Sequence, residues 1–144
     1  MIKFINKTIK TILSWFFIVF NSDGKTANLF NLHVSFNNEL GNYLTDSNGR
    51  ALYYYKQDRV GTLISNPISN CNEEFLGIWQ IFYEDRIKIS APLKKINFSV
   101  LVRQEGVKQL CYKGHPLYYY INDFNPGDCK GEGFSNEFFT LKIN

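Results

Sequence analysis

Concentrated basic charge is missing from this 144-residue sequence: 16 Lys and Arg are scattered among 13 Asp and Glu, for a net charge of +3. Nucleic-acid binding needs a face basic enough to displace counterions from phosphates, so that class of partner is set aside. Cysteine is sparse. The three residues at 71, 111 and 129 match no Cys-x-x-Cys zinc or redox pattern and no Cys-x-x-Cys-His haem site. Neither G-x-S-x-G, nor His-Glu-x-x-His, nor a phosphate-cradling glycine loop occurs. The glycines of "GDCKGEG" follow "PGD" and precede a strand pattern, which makes that stretch a turn-rich loop, and its Asp128 and Glu132 read as solvated rather than as a catalytic pair. These absences point away from an enzyme.

Long apolar runs are also lacking. Ile12 to Phe20 is too short to span a bilayer comfortably but has signal-peptide length, and Lys3, Lys7 and Lys10 supply a basic region before it. Residues 1–27 therefore read as a signal peptide or N-terminal anchor, and contact with a membrane is expected only through that segment if it is left uncleaved. A buried or interfacial helix is the competing reading, because no small-x-small cleavage site follows. A cut after Gly24 would remove three lysines and Asp23 and bring the net charge to +1. An extracytoplasmic location, periplasmic or secreted, follows from the leader. In an oxidising compartment two of the three cysteines would tend to pair.

What the sequence does contain is tyrosine and repetition. "GRALYYYKQD" at 49–58 returns as "GHPLYYYIND" at 114–123. Each block closes a series of short runs rich in β-branched and aromatic residues and separated by turn residues: "LHVSF", "NYLTD", "RALYYY" in the first half and "NFSVLVR", "VKQLCY", "HPLYYYI" in the second. The expected fold is mainly β: two antiparallel three-stranded meanders from an internal duplication, packed as a sandwich or partly closed barrel. Residues 28–144 form one domain of two repeats, 31–83 and 96–144. Between the two meanders Phe75, Leu76, Ile78, Trp79 and Phe82 fall on one helical face after Asn72, Glu73 and Glu74, which predicts one short helix weakened by Gly77. The tail "NEFFTLKIN" alternates as a last strand.

Side chains alternate along a strand, so Tyr53 and Tyr55 share one face and Tyr54 the other, as do Tyr118 and Tyr120 against Tyr119. Asp58 and Asp123 follow at the turn, where a carboxylate can accept a phenol hydrogen bond or backbone N–H groups. Both blocks fit Tyr-x-aromatic-x-x-Asp. With "CNEEFLGIW" and "QLCYKGHPLYYYINDFNPGD", they resemble the bacterial secreted-repeat family, described as predicted lipoproteins of undefined biochemical role. The likeness covers residues 40 to 140. It implies export, and it implies a Cys-x-x-x-Cys before the tryptophan, where this chain has Cys71 and Phe75 and no lipobox. Against that family pattern, Cys71 and Cys129 become the candidates for a replacement disulfide.

Two roles compete for the tyrosines. One is burial in a small β core with the aspartates satisfying their hydroxyls; the other is an aromatic ligand surface made of Tyr54, Tyr119 and His115. His115 in the "GHP" turn reads more readily as a hydrogen-bonded residue than as a metal ligand, and Arg50 stands at its equivalent place. The expected function is a noncatalytic binding or interaction module with an exported or cell-surface partner. The alternative is a periplasmic redox or metal and haem accessory protein built around His115, the tyrosines and a free cysteine.

Overall fold

The computed structural model describes residues 29–144, so the expected leader lies outside the described residues. The first repeat opens with the hairpin β1 (Phe30–Asn37) and β2 (Gly41–Asp46), paired in register from Asn37 opposite Gly41 to Leu32 opposite Asp46. The Asn37 side-chain oxygen accepts the Glu39 N–H at 2.8 Å, which ties the turn. Then come β3 (Tyr53–Tyr55), the one-turn helix α1 (Glu73–Leu76), β4 (Trp79–Ile81) and β5 (Ile87–Ile89). After a 3-10 turn at Lys95–Asn97, the second repeat supplies β6 (Phe98–Val102), β7 (Lys108–Tyr112), β8 (His115–Pro116), β9 (Tyr118–Tyr120) and β10 (Phe138–Thr140). The mainly β class is as read from the sequence, in several sheets rather than a closed barrel.

The tyrosine strands do not stay in their own meanders. The three sheets run β2-β1-β5, β10-β3-β9-β4 and β6-β7-β8, so β3 and β9 leave their hairpins and pair with each other at the centre, Tyr53 opposite Tyr118. The bend is at Leu52 and Leu117. Leu52 N–H donates to the Leu44 carbonyl at 2.9 Å and Leu117 N–H to that of Leu110 at 3.0 Å, after which each chain crosses to the central sheet. Strands change sheets in this way when a flat continuation would leave one apolar face uncovered. Gly49 and Gly114, at φ +76° and +80°, turn the chain just before the crossing, in a left-handed conformation that costs glycine little.

One further strand from each repeat completes an exchange. β4 of the first repeat pairs with β9 of the second, and β10 of the second pairs with β3 of the first. Beyond them, Leu141 N–H donates to Leu52 O and Leu44 N–H to Leu141 O, both at 2.9 Å. Phe82 N–H donates to Leu117 O at 3.0 Å and Leu110 N–H to Phe82 O at 2.8 Å. "WQIF" at 79–82 and "FFTL" at 138–141 are thus equivalent strands, each seated in the other repeat. Their leading residues, Trp79 and Phe138, stack with ring centres 4.0 Å apart and planes 5° apart. This corrects the helical reading of residues 75–82: α1 stops at Leu76, with the Asn72 side chain capping the Phe75 N–H, and Trp79 begins a strand.

Both faces of the central sheet are covered. Tyr53, Tyr55, Trp79, Tyr118, Tyr120 and Phe138 pack with Tyr43, Cys71, Phe75 and Phe134 on one face. On the other, Tyr54 and Tyr119 lie against Leu44, Leu52, Phe82, Leu110, Leu117 and Leu141. The alternation along "YYY" therefore sorts the tyrosines into two cores.

Candidate functional site

The two motif aspartates are exchanged between the repeats. Tyr53 Oη donates to Asp123 Oδ2 at 2.5 Å and Tyr118 Oη to Asp58 Oδ2 at 2.8 Å. The other oxygen of each carboxylate accepts a backbone N–H, from Lys130 at 3.0 Å and from Asn70 at 2.6 Å. The sequence reading supplied the bond type but not the partner. Each carboxylate pins the loop that follows it while holding a tyrosine of the opposite repeat. Burial pushes both phenols well above the ordinary tyrosine range, and the aspartate beside each pushes the same way. Burial also raises Asp123, and it raises Asp58 to about 6 against the pull of the Asn70 N–H, the Tyr118 hydroxyl and Arg103.

Tyr55 and Tyr120 remain on the inner face, Tyr55 stacked on Phe138 at 4.5 Å and Tyr120 against Trp79 at 4.7 Å. Tyr54 and Tyr119 are half-buried, and each is covered by the equivalent residue of the other repeat. The Arg50 guanidinium lies 4.2 Å from the centre of the Tyr119 ring and donates to the Tyr120 carbonyl at 3.0 Å, while the His115 ring lies 5.0 Å from that of Tyr54. Tyr119 Oη is held by Asp46 Oδ2 at 2.9 Å. Burial lowers the His115 pKa. Among the described residues no three His, Cys, Asp or Glu side chains are grouped to hold a metal ion.

The cysteines are three free thiols, and the bridge expected between Cys71 and Cys129 is not formed. Cys71 lies beside the Tyr118 hydroxyl and Cys129 beside that of Tyr43, at two places along the same aromatic core. Burial pushes Cys71 and Cys111 up to about 12.

The repeats differ where the chain leaves the motif. Asn70 lies twelve positions after Asp58, whereas Lys130 lies seven positions after Asp123. The longer loop stands away from β6 and leaves a cleft of about 710 Å³ between Asn66–Asn72 and Val100–Glu105. Arg103 lies across its base with its side chain 8% exposed. Its guanidinium donates to Glu105 Oε1 at 2.6 Å, Ser69 Oγ at 2.5 Å, Gln109 Oε1 at 3.2 Å and the Cys71 carbonyl at 3.0 Å. Ser69 Oγ is 2.6 Å from Tyr118 Oη, whose proton is committed to Asp58. The donors therefore run one way, from Arg103 through Ser69 and Tyr118 to the buried carboxylate. No sequence signal singled out Ser69 or Arg103, because neither lies in the repeated block; the unequal loop lengths were the only clue.

These features define a class: a duplicated, mainly β protein whose repeats trade a strand and a Tyr–Asp bond. Residues 99–141, the greater part of the second repeat, match the model of a family described as a secreted repeat of unknown function. The resemblance read from the tyrosine blocks is thereby supported over that span, and it fits an exported protein. No curated protein and no solved structure matches the chain.

Proposed function

We propose that the chain is an exported, noncatalytic binding module, periplasmic or secreted, which holds its ligand or cell-surface partner in the cleft between the loop after Asp58 and β6. The observation that carries this reading is the loop's extra length. The matching loop after Asp123 closes the same Tyr–Asp network seven positions on, at Lys130, so the longer one is not needed for the fold. The cleft has the volume of a small-molecule site, with apolar Ile68, Val100 and Val102 around a few convergent polar groups. Ser69 is a poor nucleophile in this arrangement. Its proton faces a tyrosine oxygen whose own proton is held by Asp58, and no base adjoins it among the described residues. Tyr54, Tyr119 and His115, being half-buried against Phe139, Arg50 and one another's repeats, offer a smaller second face. No specific observation favours the redox or metal reading.

A photo-crosslinking residue at Ile68, which is 41% exposed at the cleft wall, tests the proposal in cells carrying the full chain. Phe36, 69% exposed on β1, is the control. A discrete adduct with another molecule at position 68 and not at 36, weakened by Arg103→Gln, is the expected result. The same pattern at both positions, or none at either, would overturn it.

A further inference from the structure

The tip of the loop after Asp58 carries two large apolar residues, Leu63 and Ile64, at positions where turns favour Gly, Asn, Asp, Ser or Pro. Leu63 is 106% and Ile64 97% exposed. Hydrogen bonds hold the turn in shape: Thr62 N–H donates to the Ser65 carbonyl at 2.8 Å, Thr62 Oγ1 and Ser65 Oγ lie 2.9 Å apart, and Ile64 N–H donates to Thr62 Oγ1 at 3.3 Å. Its neck is fixed as well. Gly61 N–H donates to the Gly114 carbonyl at 2.9 Å, and a methyl group on Gly114 would run into the Gly61 oxygen. The two side chains are therefore held out in water and cannot fold back onto the core.

The charge around the tip has one sign. Ile96, 89% exposed in the 3-10 turn Lys95–Asn97, lines one surface cavity with Leu63 and Lys113. Lys94 and Lys95 precede it, and all three lysines are exposed and without an ion pair among the described residues. Residues 59–72, 92–104 and 113–122 contain no Asp or Glu. Glu105 lines the larger cleft but not this cavity, and it is paired with Arg103. We propose that the tip docks the protein on an anionic bilayer surface, Leu63, Ile64 and Ile96 entering the acyl boundary and Lys94, Lys95 and Lys113 lying at headgroup level. Apolar side chains flanked by cations bind that interface through buried area and attraction to anionic lipid together. A fluid bilayer closes around a narrow protruding tip, whereas a protein partner would need a matched apolar pocket with acids at its rim. The inference goes beyond the cleft reading: it uses residues 62–65, and the cleft is lined from Asn66 onward. It adds a second membrane contact to the one expected of the leader.

An environment-sensitive fluorophore on Ile64→Cys of the full chain tests this. The same label on Phe36→Cys is the control, and the labelled parent chain gives the background from half-buried Cys129. With vesicles of phosphatidylglycerol and phosphatidylcholine, emission at position 64 should rise and shift to the blue, and emission at position 36 should not change. Phosphatidylcholine alone should require about tenfold more lipid. Insertion of the leader is common to both labelled chains and cannot distinguish them. In the chain labelled at 64, Leu63→Ser should raise the lipid requirement about tenfold, and Lys94→Gln with Lys95→Gln should remove most of the preference for anionic lipid. These positions are exposed, so none of the substitutions touches the core. The vesicles hold no ligand for the cleft, so the outcome is read independently of the Ile68 crosslink. No change at 64, equal changes at 64 and 36, or an equal response to both kinds of vesicle would each overturn the proposal. A blue shift at 64 that grows with protein concentration and needs no vesicles would overturn it in favour of a second copy.

Discussion

Replacing Asp58 by asparagine should flatten part of the protein's stability profile against pH. Asp58 is 6% exposed, and burial holds its pKa at about 6 against an ordinary value of 3.8. A carboxyl raised on folding binds its proton more tightly in the native state, so its contribution is fully present below about pH 4 and is lost as pH rises to 6. At about 1.4 kcal/mol for each factor of ten, the loss is about 3 kcal/mol across that window. The asparagine side chain resembles the protonated acid: its oxygen can take the Asn70 N–H, and its amide can donate to Tyr118, which then donates to Ser69. Urea unfolding at fixed pH values from 4 to 8 measures the difference between wild type and Asp58→Asn, and the contribution of Asp123 is common to both. The wild type should lose ground to the variant by about 3 kcal/mol between pH 4 and 7. A difference that is constant, or that moves the other way, would refute the assignment of a raised pKa to Asp58.

Other outcomes follow from the same packing. A methyl group at Gly131 would sit 2.5 Å from Trp79 Cη2 and 3.0 Å from Tyr120 Cγ; Gly131→Ala should therefore cost about 1–3 kcal/mol in thermal or urea unfolding, as overpacking does. Alkylation at pH 8 should modify half-buried Cys129 well before Cys71 and Cys111, and equal rates would contradict the burial of the latter two. A chain of residues 95–144 alone should be unfolded by circular dichroism, because it lacks β4 and the Asp58 acceptor for Tyr118; adding residues 29–94 should restore structure. A folded isolated repeat would contradict the exchange.

The duplication was legible because identical residues recur, and the sorting of tyrosines to two faces was legible because strand alternation is local. Four things were not. Phe75, Leu76, Ile78, Trp79 and Phe82 match a helical stripe, yet that run contains one helical turn, a Gly77 cap and a strand; apolar spacing over eight residues cannot separate those cases. "WQIF" and "FFTL" are equivalent in the fold but share little beyond bulk. The motif spacing Tyr-x-aromatic-x-x-Asp suggests a bond within one block, whereas a strand carries its aspartate away from its own tyrosines and into the other repeat. The cleft residues Ser69 and Arg103 lie 34 positions apart and meet only through that exchange.

The interlocking of the repeats is tested most directly by double-mutant cycles on the tyrosine hydroxyl. Tyr53→Phe combined with Asp123→Ala should show a coupling of about 1–2 kcal/mol in urea unfolding, and Tyr53→Phe combined with Asp58→Ala should be additive to within about 0.5 kcal/mol. Coupling to Asp58 and additivity with Asp123 would mean that each motif closes on itself, and the exchange would be wrong.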